Sequence, residues 1–529
     1  MVGQPVSIGP FFGGLNTVND PSTIEDVQCA VLNNFDIDTD GSIIARPAVG
    51  YEQWSAVYDI SILCTYTVND QTFIAISRRG GSPTFNEVFE VIDIATGIRT
   101  QIAVSSGIAR YTAAVQYDDK LWFTLTDEST TTGGYWTPNA GKVDVPGMPR
   151  GSTMLIYKER MFIASKGGRV YFSKIADPTN WLTSSDAGGF FDVDPGDGDE
   201  ILTMISHMGQ IVIFKHRSTY VFAYDNAPDR AVVQQVSNSI GTESIKSVTT
   251  YEGIIYTLHD NKLYAVNNWR WVDVSQRIRI FDPPNNPIAP NNYRTGVAAV
   301  SVIGRRIFVR YRTKYFVYFP DLEAWSTWEF QSSQVPDYWV MLPHQRSDGY
   351  YEYWAGCRNH IWTQNTTNRI WKLVDGYSPE NPFADDFVAT VGTKMYDYEL
   401  PHSFKRLHWW GVDLKTTSTI DVKVYPETYN TKITWDDFAA LGITWDQAAA
   451  EGRTWDRPVD LSINVTDSAS MGYTAGIRTF LKFLKSLRFR KVSYEISYRY
   501  NHDAQKQPLR IFSAMAVISG KQLVPRKTN

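Results

Sequence analysis

The chain has 529 residues, 51 Lys plus Arg against 56 Asp plus Glu, and a formal charge of −5. So mild a charge argues against a dedicated nucleic-acid binder while leaving contact with nucleic acid open, and no run of about 18 apolar residues exists to cross a membrane as a helix. Phe, Trp and Tyr make up 14% of the residues beside 36 Gly and 25 Pro, a composition suited to many short strands and tight turns, with length enough for two or more domains.

In chain order, the start Met1-Val2-Gly3-Gln4-Pro5 has no basic segment followed by an apolar one, which predicts a protein made in a cytoplasm. Residues 1–50 are turn-rich, and Pro10-Phe11-Phe12-Gly13-Gly14-Leu15-Asn16 reads as part of an extended N-terminal arm leading to a first hairpin. Phe11, Phe12, Leu15 and Asn16 are therefore candidate interface residues. Asp36-Ile37-Asp38-Thr39-Asp40-Gly41 matches the front half of an EF-hand loop, but Pro47 stands where the bidentate Glu is required, so a hairpin turn is expected instead of calcium.

From residue 51 to 380 a phrase recurs, an apolar run followed by a polar turn and a second run rich in aromatic and β-branched residues. The runs are Phe73-Ile74-Ala75-Ile76, Leu121-Trp122-Phe123-Thr124, Met161-Phe162-Ile163-Ala164, Ile211-Val212-Ile213-Phe214, Ile254-Ile255-Tyr256-Thr257, Ile307-Phe308-Val309 and Tyr351-Glu352-Tyr353-Trp354-Ala355. Their spacing of roughly 40 to 50 residues is the size of one four-stranded propeller blade. Lys166-Gly167-Gly168-Arg169-Val170-Tyr171-Phe172 and Asp260-Asn261-Lys262-Leu263-Tyr264-Ala265-Val266 read as the turn and next strand of antiparallel hairpins. The expectation is an all-β chain with a six- or seven-bladed β-propeller; stacked sandwiches are the competing arrangement. Within this region Asp192-Val193-Asp194-Pro195-Gly196-Asp197-Gly198-Asp199-Glu200 has oxygens enough for calcium but no recognised order, and reads as a solvated loop.

Beyond residue 380 the rhythm stops. Longer alternating stretches, among them Thr419-Ile420-Asp421-Val422-Lys423-Val424-Tyr425, predict a C-terminal β-sandwich domain over 381–529. It carries an excursion at 431–457 in which Thr-Trp-Asp recurs every ten residues, at Trp435, Trp445 and Trp455. Three tryptophans in register are either an interaction surface or a staple burying itself. Lys482, Lys485, Arg488, Arg490 and Lys491 alternate along a strand, as on the wet face of a sheet.

Signs of chemistry are sparse. Cys29, Cys64 and Cys357 lie far apart and read as reduced core thiols. The histidines, His207, His216, His259, His344, His360, His402, His408 and His502, show no ligand spacing, and nucleophile elbows and phosphate loops are missing. Propellers do host glycosidases, but the repeated Ser-x-Asp-x-Gly-x-Thr-Trp box is reduced to the fragment Ser185-Asp186-Ala187-Gly188-Gly189. The expectation is no catalytic residue, no cofactor and no metal.

Several passages, in their order along the chain, carry a resemblance. They are Ser7 to Thr17 with Asn19-Asp20-Pro21, Asn34-Phe35-Asp36 through Arg46-Pro47, Val170-Tyr171-Phe172-Ser173 with Asp177-Pro178-Thr179-Asn180-Trp181, Gly198-Asp199-Glu200-Ile201 leading to Val212 through Ser218, and Ser239-Ile240-Gly241-Thr242. With the Thr-Trp-Asp repeat, they resemble tailed-bacteriophage β-propeller tail proteins: minor tail proteins of long-tailed phages and, more distantly, nozzle or DNA-stabilising proteins of short-tailed ones. The resemblance covers the first half well and the C-terminal part loosely. It implies a structural virion protein of the tail, assembled in the host bacterial cytoplasm, with other tail proteins as partners, a homo-oligomer in the assembled tail and transient contact with exiting DNA. The alternatives are a nozzle or head-to-tail connector ring around the DNA channel, and a host-surface glycan-binding or glycan-cleaving propeller. On this reading the arm around Phe11 to Asn16 docks on an adjacent tail protein.

Overall fold

A computed structural model describes residues 4–47, 49–56, 60–79, 87–105, 110–125, 133–165, 167–182, 188–224, 232–278, 298–311, 314–329, 335–337, 344–345, 351–358, 368–374, 387–398, 403–415, 420–427, 460–461, 478–500 and 509–520. Among them the only regular elements are strands. The fold is all-β, with repeated four-stranded antiparallel sheets of the kind that build a β-propeller.

Five sheets each use four consecutive strands, spanning residues 60–104, 111–144, 153–192, 201–237 and 248–273. A turn with both central residues at positive φ joins the first and second strand of every one: Asn69-Asp70, Asp118-Asp119, Lys158-Glu159, Met208-Gly209 and Glu252-Gly253. Such turns match the right-handed twist of the strands they connect, which is why the pairs run straight on from them. Four further strands, Ala298–Ile303, Arg306–Tyr311, Lys314–Phe319 and Ala324–Glu329, pair in the same consecutive order. A last sheet combines Tyr351–Arg358 and Asn368–Val374 with Val49–Ala56 from near the N-terminus.

The seven apolar runs fall in seven different sheets. In the second strands Lys120–Leu125, Arg160–Ala164, Gln210–Lys215 and Ile254–His259, nearly every side chain is buried. That absence of alternation follows from a sheet covered on both faces by its neighbours. Phe89 and Phe123 join the first two sheets, Trp122 and Met161 the next pair, Phe162 and Ile213 the next, and Phe214 and Ile255 the next. Leu258 packs in one cluster with Val300 and Phe308. The succession returns to its start, because Trp354 packs with Ile62 and Ile76 while the Gly304 amide donates to the Tyr353 hydroxyl at 2.9 Å.

The N-terminal segment is not a projecting arm, which corrects the sequence reading of residues 1–50. Gln4–Ile8 is a strand paired with Arg510–Gly520, and Ile43–Ala45 pairs with the same strand near its start. Gln28–Asn33 lies beside Phe387–Thr393 and touches Ala324–Glu329 in parallel at Asn33. Residues 4–45 thus interleave with strands from beyond residue 386 in two sheets. One holds Arg478–Phe489, Lys405–Lys415 and Arg510–Gly520; the other continues the 298–329 strands through Gln28–Asn33 to Phe387–Thr393, Lys491–Tyr500 and Ile420–Glu427. Leu407, Trp410 and Ala516 from the first share one core with Val422, Tyr494 and Ile496 from the second. Pairing partners some 500 residues apart leave no local signal for a sequence reading to catch.

Asn34 is the corner between these sheets. Its φ of 58° turns the chain from Gln28–Asn33 in one sheet to Phe35–Ile37 in the other. Its amide nitrogen donates to the Val388 carbonyl at 2.7 Å, while its side-chain oxygen accepts from Arg46 Nε and the Glu329 amide, each at 2.9 Å. Arg46 is buried, stacking its guanidinium over the Phe387 ring at 4.0 Å.

Replacing Asn34 by Ala removes three hydrogen bonds, one buried and two partly buried, and strains the turn, so a loss of about 2–4 kcal/mol is expected in urea denaturation. Deleting residues 2–16 strips a strand and the buried Phe11 and Leu15 from the core. The expected product is insoluble or molten, read by near-UV circular dichroism; a cooperative native-like melt would show that the segment is dispensable.

Candidate functional site

Several ionisable side chains gather along the loops that carry the chain from one sheet to the next. In the 193–200 loop, Lys215 is fully buried, and its Nζ donates to the Asp194 carbonyl at 2.9 Å and to both Asp197 carboxylate oxygens at 2.8 Å. Asp199 accepts the amides of His216 and Arg217, at 3.2 and 2.8 Å. The acidic loop therefore closes around the protein's own ammonium and its own backbone. The next inter-sheet loop, 238–247, repeats the device: Glu243 Oε1 accepts the Asp260 amide at 2.6 Å in the turn after Ile254–His259.

A side chain at Gly241 is forbidden by the same close approach, since a Cβ there would stand 2.2 Å from the Lys215 carbonyl oxygen. His216 and His259 bring their rings to 6.1 Å, edge to face, and His216 Nδ1 lies 3.2 Å from the Thr242 carbonyl. Lys246, in the same loop, donates to Ser61 at 2.6 Å. Ser61 belongs to the 60–104 sheet, which is not adjacent in the succession to the 248–273 sheet that this loop precedes.

The EF-hand-like stretch is spent in the same way. Arg510 Nη2 lies 2.8 Å from Asp38 and 2.7 Å from Asp40, and its Nε donates to Ser42 Oγ at 3.0 Å. Asp36 is paired with Arg306. Hydrogen bonds from Ser42, with Arg510 adding its charge, hold the Asp40 carboxyl below its ordinary value of 3.8. Asp192 is likewise lowered by its bidentate bond with Arg169, at 2.7 and 3.0 Å.

Of the expected interface residues, Phe11, Leu15 and Asn16 are interior: Asn16 donates to Gln28 at 2.9 Å, and the Phe11 amide donates to the Gly41 carbonyl at 2.9 Å. Only Phe12 keeps appreciable exposure, 38%, with its ring laid over Gly41. Trp435, Trp445 and Trp455 lie outside the described residues, as do the side chains of Cys357, Lys482, Lys485 and Arg488. Cys29 and Cys64 are free thiols, and burial pushes Cys64 up to about 12. Burial also lowers His207 from its ordinary value. What sequence reasoning missed is the meeting of Glu243 with His259 and Asp260, whose atoms approach one another within 4.8 Å from a loop and a strand end.

No protein-family model and no curated protein matches the chain. Among solved structures it is similar to the computationally designed Ika8 protein, with 11% sequence identity and a TM-score of 0.37, over 62% of this chain and 100% of that one.

Lys215 sits where a bound cation would otherwise offset the loop's carboxylates. Changing it to Met should cost about 1–3 kcal/mol, because Asp197 is left without its partner; denaturant unfolding measures this. Asp40 and Asp192 have folded-state pKa values below their unfolded ones, so their stabilisation is present above pH 3.8 and is lost as pH falls through the lowered values. An Asp40→Asn variant is therefore expected to show a shallower decline in melting temperature between pH 4 and pH 2 than the parent.

Proposed function

We propose that this chain is a structural subunit of a bacteriophage tail, a minor tail protein that acts as an assembly scaffold and not as an enzyme. The sheets 60–104 through 248–273, the 298–329 strands and the 351–374 sheet completed by Val49–Ala56 make a seven-bladed propeller in this reading. Closing the last blade with an N-terminal strand removes the one seam at which such a ring opens. The paired sheets of residues 4–45 and 387–520 form a sandwich rigidly attached to it.

The observation that carries the scaffold reading is on the outside of the ring. The outermost strands of three sheets, Arg99–Val104, Val232–Ser237 and Arg270–Asp273, bear exposed Val104, Val232 and Val272, at 42%, 75% and 45%. An outer strand has an unpaired edge, and apolar side chains left there favour contact with another protein. The ordered passages that resemble tail proteins name the setting. The inter-sheet loops, where a propeller enzyme would hold its reacting groups, instead use Asp197, Asp199 and Glu243 to bind Lys215 and backbone amides.

Two further readings stand beside it. For a nozzle or connector, the purified chain would form a ring of several copies around a central bore. For a glycan-binding module, the isolated chain would show saturable binding to host polysaccharide.

The test is incorporation. A Val232→Glu, Val272→Glu double variant alters exposed positions, and its melting temperature should stay within a few degrees of the parent. Supplied in place of the parent during phage production, it should be depleted from purified tails by tenfold or more. Normal incorporation of that variant, with the parent chain itself found in tails, would move the contact to another surface. Absence of the parent from purified particles would overturn the virion reading altogether.

A further inference from the structure

We propose that Glu243, His259 and Asp260 bind a divalent transition-metal ion, with zinc as the best fit. The inference is independent of the tail assignment. One donor atom from each residue lies within 4.8 Å of the other two. Glu243 and His259 are buried, at 7% and 5% exposure, whereas the Asp260 side chain is 81% exposed.

Each group is already positioned. The Asp260 amide on Glu243 Oε1 fixes that carboxylate against the turn. His259 Nε2 faces Asp260 Oδ2 at 3.7 Å, beyond hydrogen-bonding distance, and Nδ1 is buried with no hydrogen-bond partner among the described residues. A buried imidazole nitrogen with no hydrogen-bond partner is costly, and the carboxylates beside the ring repel one another. An ion between the three offsets the carboxylate repulsion and takes one imidazole nitrogen as a ligand.

Tetrahedral zinc bonds of about 2.0–2.2 Å set ligand atoms roughly 3.3–3.5 Å apart, so the contraction needed is small. Rotation of the exposed Asp260 side chain shortens its own distances to the other two donors. One nitrogen and two carboxylate oxygens suit Zn²⁺, Co²⁺ or Mn²⁺, whereas calcium asks for about six to eight oxygens. Three protein ligands leave a position for water. Such an ion would clip the 238–247 loop to the turn at Asp260-Asn261, the same junction that Lys215 secures one sheet earlier. There the cation is a side chain; here it is an ion.

Co²⁺ serves as the spectroscopic probe. Full-length protein, stripped with chelator and dialysed, is titrated with Co²⁺ while the visible d–d absorption is followed, and Zn²⁺ is then added to displace it. A band saturating at one equivalent is expected for the parent, quenched by zinc, with a matching rise in melting temperature on zinc addition. Asp260→Asn should abolish both responses. Asn suits the φ of 47° at this position, so this variant is expected to fold. His259→Gln should do the same, and Glu243→Gln should weaken binding. His408→Gln, at a residue bonded to Ser519 Oγ far from the cluster, should leave the titration unchanged. No saturating band in the parent, or a band that survives Asp260→Asn, would overturn the proposal.

Discussion

The structure hangs on one corner, the left-handed turn at Asn34. There the chain leaves one sheet and enters another, and a single amide side chain satisfies Val388, Arg46 and Glu329 at once. Those residues belong to a strand from the C-terminal region, the end of the N-terminal hairpin and the last of the 298–329 strands. The donor and acceptor of one buried side chain therefore fix the mutual placement of three parts of the chain. Such a network is stringent because each unmet bond costs the full desolvation of its group. Arg46 adds a second constraint, with its guanidinium between the Phe387 and Trp328 rings at 4.0 and 5.5 Å. An arginine placed there has no alternative partner in solvent, so the ring and the paired sheets lock together or not at all.

The ring itself is secured by a different economy of charge. The second strands are buried on both faces, so the polar backbone of the connecting loops must be satisfied beyond the ends of the sheets. Asp199 and Glu243 do so by accepting amides of a neighbouring turn, and Lys215 neutralises the carboxylates left over. This explains why clusters that look like calcium loops in the sequence are ion-paired in the fold. At Asp38 and Asp40 the counter-charge comes from Arg510, 470 residues away from Asp40. A carboxylate run in sequence specifies a need for positive charge, and the fold decides whether an ion or a side chain meets it.

What was legible in the sequence follows from what is local. The doubly buried second strands stood out as unbroken apolar runs, and turns such as Gly167-Gly168 and Asp260-Asn261 announced their hairpins through residues that tolerate positive φ. The all-β class followed from those two signals. The N-terminal segment was misread because Gly and Pro at its turns look the same whether the intervening strands are free or paired. Gln4–Ile8 finds its partner only at Arg510–Gly520. The polar cluster was illegible for a related reason: His259 and Asp260 are adjacent, but Glu243 arrives from a loop that crosses between sheets. Spacing along a strand cannot reveal a partner that packing supplies.

These features bear on one another. A chain in which Gln4–Ile8 pairs with Arg510–Gly520, and Val49–Ala56 with Asn368–Val374, carries a large loop-closure entropy cost. In return, the N-terminal segment, the 298–329 strands and the C-terminal strands cannot separate without breaking the corner at Asn34. Rigidity of that kind has little value for a site that must close over a substrate, but it suits a part that must hold its outer edges at fixed angles to neighbours. On the proposed scaffold reading, the exposed valines on three of the outer strands are the points of contact, and the charged inter-sheet loops, already satisfied internally, are spared that role.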